Sequence, residues 1–466
     1  MKLLISLLCV IAINIPAFAQ IENSFPAPPN DLFTLSMRDR IKTWVPAYPD
    51  QKIQDYVQAL GEKLLVKAPS ANIDFEFMVS DDPDVYGLSI EDGFIIVSRG
   101  LIYHMNSEAQ LAYVLGHEIG HVLSRHQQKD RERRRKAFEL ELRLRERFES
   151  ERADELFGTL SEASLKGYSR EQEVEADTWG ERLLKDNGYM TVESINMLKF
   201  AAQLEEFTER HGWPNTVNDT DQEYENGIFA THPSPLDRVD IAKKRQRRAG
   251  RKEAPLDKDF LERINGMVFG LAVNDGIQRN NVFVNGEKNI AFHVPENWFV
   301  ATEDENILIS SLNQKIIFLI TRMDSGGLSP KEQLERSQRY ETAPYEPSDI
   351  EINSNIALGI ISYPNSTKAL TGAINIKDQN FLFGGIVREG SFESQLNTFE
   401  SIIASLRFPT QTEHEFEPLR IHIETVGDHF IPSSEFIGDD YANIQLLNQQ
   451  YPEGVFENGD LIKTIK

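Results

Sequence analysis

Cysteine is almost absent. The 466 residues hold one, Cys9, and it falls in an N-terminal stretch that reads as a cleavable leader. The chain beyond that leader has no thiol, which excludes disulfide bonds, thiolate metal ligands and a cysteine nucleophile. Positive charge is also scarce. Against 73 Asp and Glu stand 49 Lys and Arg, a formal net charge of −24. A field of that sign repels phosphate backbones and anionic lipid, so nucleic acid is disfavoured as a partner. Beyond the leader no apolar run approaches the ~20 residues of a membrane-spanning helix. A fixed-period repeat and low-complexity tracts are missing too, which argues against a solenoid.

The leader has its usual parts. Lys2 supplies the positive start, and Leu3 to Ile15 form an apolar run broken only by Ser6 and Asn14. Ala17-Phe18-Ala19 gives a cleavage site, so the expected mature start is Gln20. Cys9 lies inside the apolar run, not at a lipoprotein cleavage position. The expectation is a soluble, exported, periplasmic protein.

Residues 20–50 are rich in proline (Pro26, Pro28, Pro29, Pro46, Pro49). Ile53, Val57, Leu60 and Leu64 fall on one stripe of a helix. Ile73 to Val79 alternates as a strand, and Phe94 to Val97 reads as a second strand after the Asp92-Gly93 turn. Ser107 to Gln110 has the pattern of a capping box opening a helix. Arg125 to Glu155 is densely charged, with 11 Arg and Lys and 9 Asp and Glu. Leu140, Leu144 and Phe148 give it a narrow apolar seam. That segment reads as a solvated helix or as a lid over a site. Helix is expected from Ser169 to Phe207, and a basic helix from Arg238 to Arg251. Strands are expected at Val282–Val284, Ile290–Val294, Ile307–Ser310, Ile316–Ile320, Ile356–Ile361 and Phe381–Val387. Helices are expected near 329–341 and 391–406.

The chemistry concentrates in His117-Glu118-Ile119-Gly120-His121. Residues four apart on a helix are separated by roughly 40° around the axis and ~6 Å along it, so both imidazoles face one point. Two histidines without a thiolate, plus a carboxylate, suit zinc with an open position. Zinc lowers the pKa of a bound water to near ~7, and Glu118 stands where it reaches that water rather than the metal. A third ligand is required, and carboxylates are too abundant for spacing alone to choose one. The best segment runs from Ser169 to Gly180. As a helix it aligns Glu173 and Asp177, placing one to bind metal and the other to fix a histidine tautomer.

The helix bearing HEIGH, followed by S-R-x-x-E-x-E-A-D-x-x-G at 169–180, resembles the zinc metallopeptidases typified by HtpX, BepA and the type-one CAAX prenyl protease. The resemblance implies that Glu173 is the third zinc ligand and that Asp177 stands behind the ligands. A third matching element, Thr231-His232-Pro233-Ser234-Pro235-Leu236-Asp237-Arg238, implies that His232 and Arg238 line the active site. His232 would there stabilise an oxyanion or cover the metal at rest. The resemblance spans roughly residues 50–250 and points to the exported, BepA-like branch. Two features depart from the family. Tyr86-Gly87 stands where an Asn-Ala pair usually holds substrate backbone, and the segment after His126 is charged where an apolar one is expected.

The C-terminal half carries no catalytic constellation. His293 is isolated, and Pro295 to Trp298 reads as a turn with a packed Trp. From Pro418 a strand, helix, helix, strand order is expected: Ile421–Thr425, Ser434–Ile437, Ala442–Asn448 and Leu461–Ile465. Val426-Gly427-Asp428, Leu446-Leu447-Asn448 and Asn458-Gly459-Asp460 weakly resemble a LysM module, which implies contact with peptidoglycan. A plain packing module is the alternative.

The expected fold class is α+β. A leader (1–19) precedes a mainly helical zincin-type peptidase domain (20–253). An α+β accessory domain (254–412) and a small LysM-like βααβ module (413–466) follow. The expected function is a zinc-dependent metalloendopeptidase, one Zn(2+) per chain, acting on envelope or misfolded proteins. The competing expectation is a zinc-stabilised, non-catalytic scaffold that binds envelope proteins or peptidoglycan.

Overall fold

A computed structural model describes residues 36–69, 72–90, 92–133, 135, 168–211, 235–246, 256–323, 328–338, 345–346, 355–362, 368–377, 379–427, 430, 436 and 440–466. The leader, most of the charged segment after residue 133, His232 and the expected helix around 434–437 lie outside these residues, apart from Phe436.

The N-terminal part begins with α1 (Met37–Trp44) and α2 (Gln51–Leu65). In α2 the stripe Ile53, Val57, Leu60 and Leu64 is buried. A three-stranded sheet follows: β1 (Glu76–Ser80), β2 (Gly87–Ser89) and β3 (Phe94–Ser98), in the order β1-β3-β2. The middle strand Phe-Ile-Ile-Val-Ser is buried throughout. This is why it reads as an unbroken apolar run rather than an alternating one. β3 pairs parallel with β1 and antiparallel with β2, which leaves β2 on an edge.

Next come α3 (Arg99–His104) and α4 (Glu108–Leu123). Ser107 caps α4 by accepting the Gln110 N–H. The reciprocal half of the expected capping box is displaced by one residue, because the Gln110 side chain accepts from the N–H of Asn106. A helical stretch at 126–133 opens the charged segment. The helix expected from 169 to 207 is two: α5 (Arg170–Asp186) and α6 (Val192–His211). Gly188, at φ 81°, makes the break, since a left-handed residue is the usual helix terminator. α7 (Pro235–Gln246) and α8 (Lys258–Ile264) complete this part.

The following residues build two antiparallel sheets. One joins β4 (Ile277–Arg279), β5 (Val282–Asn285) and β6 (Ile290–His293). The larger joins β7 (Trp298–Glu303), β8 (Asn306–Ser311), β9 (Ile316–Met323), β10 (Tyr345–Glu346), β11 (Ile356–Ser362), β12 (Lys368–Ile376) and β13 (Gln379–Val387). Its order is β10-β11-β12-β13-β9-β8-β7. Helix α9 (Pro330–Gln338) falls between β9 and β10 in sequence, and α10 (Phe392–Ser405) follows β13. Phe318, Phe383, Phe399 and Ile402 belong to the core of this part.

Four of these strands, β4, β7, β10 and β12, are additions to the sequence reading. β7 follows the expected turn, in which Trp298 N–H bonds to Pro295 O at 3.1 Å. β12 was hidden by its Thr, Gly and Asn, yet it lies between β11 and β13. A Cβ on its Gly372 would come within 2.4 Å of the Phe383 ring, so the glycine makes room for that ring.

The last elements are β14 (Ile421–Thr425), α11 (Asp440–Leu447) and β15 (Leu461–Ile465), with β14 and β15 paired antiparallel. They share one hydrophobic core with α2, α4 and α6: Ile421, Leu446, Leu447, Ile462 and Ile465 pack in the same cluster as Leu60, Leu111 and Leu198. Polar bonds reinforce the union. The buried Lys463 amine donates to Tyr103 O (3.0 Å) and Met105 O (2.9 Å), closing the C-terminal end of α3. Of the residues that carried the LysM-like resemblance, Val426, Leu446, Leu447 and Asn448 are buried, while Gly427, Asn458, Gly459 and Asp460 are exposed. No helix among the described residues is long and apolar enough to cross a membrane.

Candidate metal centre

The centre is made where α4 crosses α5, and small residues set the distance between them. A Cβ on Gly120 would fall 2.7 Å from Cβ of Trp179, and one on Gly180 would fall 2.8 Å from the Tyr113 ring. With hydrogen at those positions the two helices approach closely enough for side chains of both to meet in one buried space.

His117 and His121, one turn apart on α4, bring their Nε2 atoms to 3.0 Å. Glu173 of α5 reaches in from the other side. Its Oε2 lies 3.5 Å from His117 Nε2, and its Oε1 lies 3.5 Å from His121 Nε2. All three residues are buried, and one ligand atom from each lies within 4.8 Å of the others. Burial pushes the Glu173 carboxyl up to about 7, opposed by the charge of Arg238 and by His117. A cation at the point between these groups would relieve the cost of keeping that carboxylate charged. Two nitrogens and a carboxylate oxygen, buried and within 4.8 Å of one another, fit a metal ion.

Asp177 is one turn beyond Glu173 and completely buried. Its Oδ1 lies 3.1 Å from His117 Nδ1 and accepts the Tyr113 hydroxyl at 2.6 Å. Arg238 of α7 grips the same carboxylate with two N–H groups, at 3.0 and 2.6 Å. A third guanidinium nitrogen stands 3.1 Å from Glu173 Oε2. Burial opposes charge on Asp177. The Arg238 guanidinium and the His117 contact prevail and hold its carboxyl well below the usual range. Arg238, expected to line the site as a catalytic residue, thus stands behind the ligands, 2% exposed.

On the far side, His121 Nδ1 lies 2.9 Å from Nδ1 of His126. His126 in turn puts Nε2 3.1 Å from Glu175 Oε2. The Tyr168 ring stacks on His121 with centroids 4.0 Å apart. Glu118 follows His117 on α4 and is 1% exposed. It faces the edge strand β2, where a Cβ on Gly87 would lie 3.4 Å from Glu118 Oε1. Beside His121 opens a cleft of about 460 Å³ whose lining includes Ser89, Arg125, Gln127 and Arg131.

The structure thus brings together His117, His121, Glu173, Asp177, Glu118 and Arg238, while His232 lies outside the described residues. Sequence reasoning missed Tyr113, His126, Tyr168 and Glu175. Tyr113 had a usable signal: it precedes His117 by one helical turn and so shares its face.

Residues 51–246 match the family described as peptidase family M48. The chain carries a peptidase family M48 domain. Curated relatives agree with this. A putative beta-barrel assembly-enhancing protease of Vibrio cholerae is 26% identical over 211 residues, covering 43% of this chain and 41% of that protein. The mitochondrial metalloendopeptidase OMA1 of Arabidopsis thaliana is 34% identical over 146 residues, covering 30% of this chain and 29% of that one. A beta-barrel assembly-enhancing protease of Yersinia pestis is 23% identical over 231 residues, covering 48% and 45%. The chain thus spans less than half the length of each of these relatives. Within the M48 match lie both helices of the centre and α7 with Arg238.

Proposed function

We propose that this protein is a zinc-dependent metalloendopeptidase, with His117, His121 and Glu173 as the metal ligands and Glu118 as the base. One observation carries the reading. Three ligand-type side chains converge from two helices, and a fourth, Glu118, is buried next to them on the same helix without joining the cluster. Zinc–ligand distances of ~2.0–2.1 Å at a tetrahedral angle put neighbouring ligand atoms about 3.3 Å apart. The Nε2–Nε2 separation of 3.0 Å is close to that spacing, and each Glu173 oxygen lies 3.5 Å from one of the two nitrogens.

When bound, zinc supplies Lewis acidity, polarising a peptide carbonyl and acidifying water near neutral pH. The residues of the chain do the rest. Asp177 accepts the Nδ1 proton of His117 and so leaves Nε2 free to bind metal. Arg238, behind the ligands, holds Asp177 ionised and opposes the burial that pushes the Glu173 carboxyl up. Glu118 takes a proton from the attacking water and returns it to the leaving amine. Edge strand β2, at Gly87 beside Glu118, offers backbone groups to an extended substrate. Beside it, the Tyr86 hydroxyl is held by the Ser80 hydroxyl at 2.7 Å. His232 is proposed to contribute at the same site, from its place in the Thr231–Arg238 element.

That relatives in Vibrio and Yersinia are named beta-barrel assembly-enhancing proteases supports envelope proteins as the proposed substrates. A periplasmic location after cleavage at Ala19 fits such substrates. Contact with peptidoglycan through 413–466 is the weaker part of the proposal, because the apolar landmark residues Val426, Leu446 and Leu447 pack into the core.

The test is metal dependence. Mature protein is stripped with a chelator and assayed on unfolded casein, then reloaded with zinc, magnesium or calcium. Cleavage lost on stripping and restored by zinc alone supports the reading. Cleavage unaffected by complete removal of metal would overturn it.

A further inference from the structure

The metal-side geometry of His121 has a consequence for the proton on its other nitrogen. His121 directs Nε2 towards His117 and Glu173, at 3.0 and 3.5 Å. If Nε2 binds metal, the imidazole is neutral and its proton sits on Nδ1. The group facing that proton is not a carbonyl or a carboxylate but another imidazole nitrogen, His126 Nδ1, at 2.9 Å. To accept, His126 Nδ1 must be unprotonated, which places the His126 proton on Nε2. There Glu175 Oε2 waits at 3.1 Å.

Every donor in this chain then meets an acceptor in one direction only: His121 Nδ1–H to His126, then His126 Nε2–H to the Glu175 carboxylate. The parts are held in place. His126 is fully buried. Its backbone carbonyl accepts from Gln172 Nε2 at 3.4 Å, in the same turn of α5 that carries Glu173. Glu175 Oε1 accepts the Ser124 hydroxyl at 2.8 Å. Ser124 also accepts from the Trp179 indole at 3.2 Å, and the Lys129 amine stands 3.9 Å from Glu175 Oε2. The arrangement matches the role of Asp177 on His117, with one imidazole inserted between ligand and carboxylate.

We propose that His126 and Glu175 are positioning residues that fix the Nδ1–H tautomer and ring orientation of His121 through a directed histidine–histidine–carboxylate relay. This rests on the reading of His117, His121 and Glu173 as metal ligands. The cluster therefore has two orienting systems, a direct carboxylate for His117 and a relayed one for His121. Glu175, with a side chain 50% exposed, ties the second of them to the surface.

The experiment measures zinc affinity on the mature full-length protein by competition with a chelator of known affinity, so it does not depend on turnover. Partners behind a metal ligand typically contribute 10–100-fold in affinity, and H126L is expected to lose zinc binding by about that factor. H126N, whose side-chain oxygen takes the place of Nδ1, is expected to retain most of it. E175A removes an exposed group without threatening the fold and is expected to weaken zinc by roughly threefold or more. Nitrogen-15 NMR of the zinc-loaded protein is expected to show His126 as the Nε2–H tautomer and His121 as Nδ1–H.

Equal zinc affinity in the parent, H126L and E175A, or a His126 protonated on Nδ1, would overturn the relay. A parent that binds no zinc would overturn both the relay and the metal site. A parent that binds zinc through the relay but cleaves nothing would overturn the peptidase proposal and leave the relay standing.

Discussion

Gly116 of α4 and Gly180 of α5 meet almost backbone to backbone: a Cβ on Gly116 would lie 3.1 Å from Cα of Gly180. This contact fixes how far Glu173 and Asp177 reach towards the histidines. A Cβ on Gly180 would also fall 2.8 Å from the Tyr113 ring and 3.0 Å from its carbonyl oxygen. Tyr113 bonds Asp177, so displacement of the ring passes directly to the support of His117. Gly180→Ala is expected to cost about 1–3 kcal/mol, as overpacking does, and to weaken zinc binding. Denaturant unfolding with zinc titration checks both. Unchanged values would mean that the helices have room to spare.

Arg238 is the cation for two buried carboxylates, Asp177 and Glu173. Removing it leaves both without that partner. Arg238→Leu is expected to destabilise the metal-free protein by about 3–5 kcal/mol, the usual loss on breaking a buried pair. Arg238→Lys is expected to rescue little, because a point charge cannot make the two-pronged contact. Thermal unfolding of the three proteins after chelation decides. Full rescue by lysine would show that charge alone matters.

Much of the centre was legible because its determinants are local. Four-residue spacing aligns His117 with His121 and Glu173 with Asp177 whatever the rest of the chain does. Strands with plain apolar runs, such as Phe94–Ser98, were legible for the same reason. What was hidden depends on contacts far apart in sequence. Glu175 and His126 meet only because α4 and α5 cross. Lys463 reads as a surface cation on an end strand, yet it is buried against carbonyls of Tyr103 and Met105, some 360 residues earlier. β12 was obscured because Gly372 serves a neighbouring Phe rather than its own strand propensity.

His104 gives the fold a pH dependence with a definite sign. Burial pushes its imidazole down to about 3, opposed by the Gly100 carbonyl that Nδ1 faces at 2.7 Å. An unfolded histidine titrates near ~6.5. Between these values the unfolded chain binds the proton and the native state does not, so stability rises with pH and is fully present above ~6.5. Acidification below that point is expected to remove about 1.4 kcal/mol per pH unit through this residue. His104→Asn keeps a donor for Gly100 but does not titrate. The stability gap between wild type and His104→Asn should therefore narrow from pH 7.5 to pH 5. A constant gap would assign the acid sensitivity elsewhere.

The C-terminal elements share one hydrophobic core with the helices that carry the candidate metal centre. Ending the chain at residue 412 strips Ile421, Leu446, Leu447, Ile462 and Ile465 from that core. Each buried aliphatic side chain contributes about 1.5–3 kcal/mol, against a total stability of roughly 5–15 kcal/mol. The shortened chain is expected to be unfolded or insoluble, and circular dichroism with thermal melting checks it. Lys463→Met is expected to lower the midpoint less, since it removes the two carbonyl caps but keeps the apolar stem. A shortened chain with the full-length midpoint would show that 413–466 folds apart from the peptidase.

The proposed role of Glu118 is to do the proton chemistry at a metal held by other residues. It is tested most directly by comparing wild type and Glu118→Gln for zinc content and for casein cleavage on the same samples. One zinc in each and a cleavage rate lowered by about 10²–10⁴ in the variant are expected, the usual contribution of a positioned acid–base group. Undiminished cleavage by a zinc-loaded Glu118→Gln would contradict it.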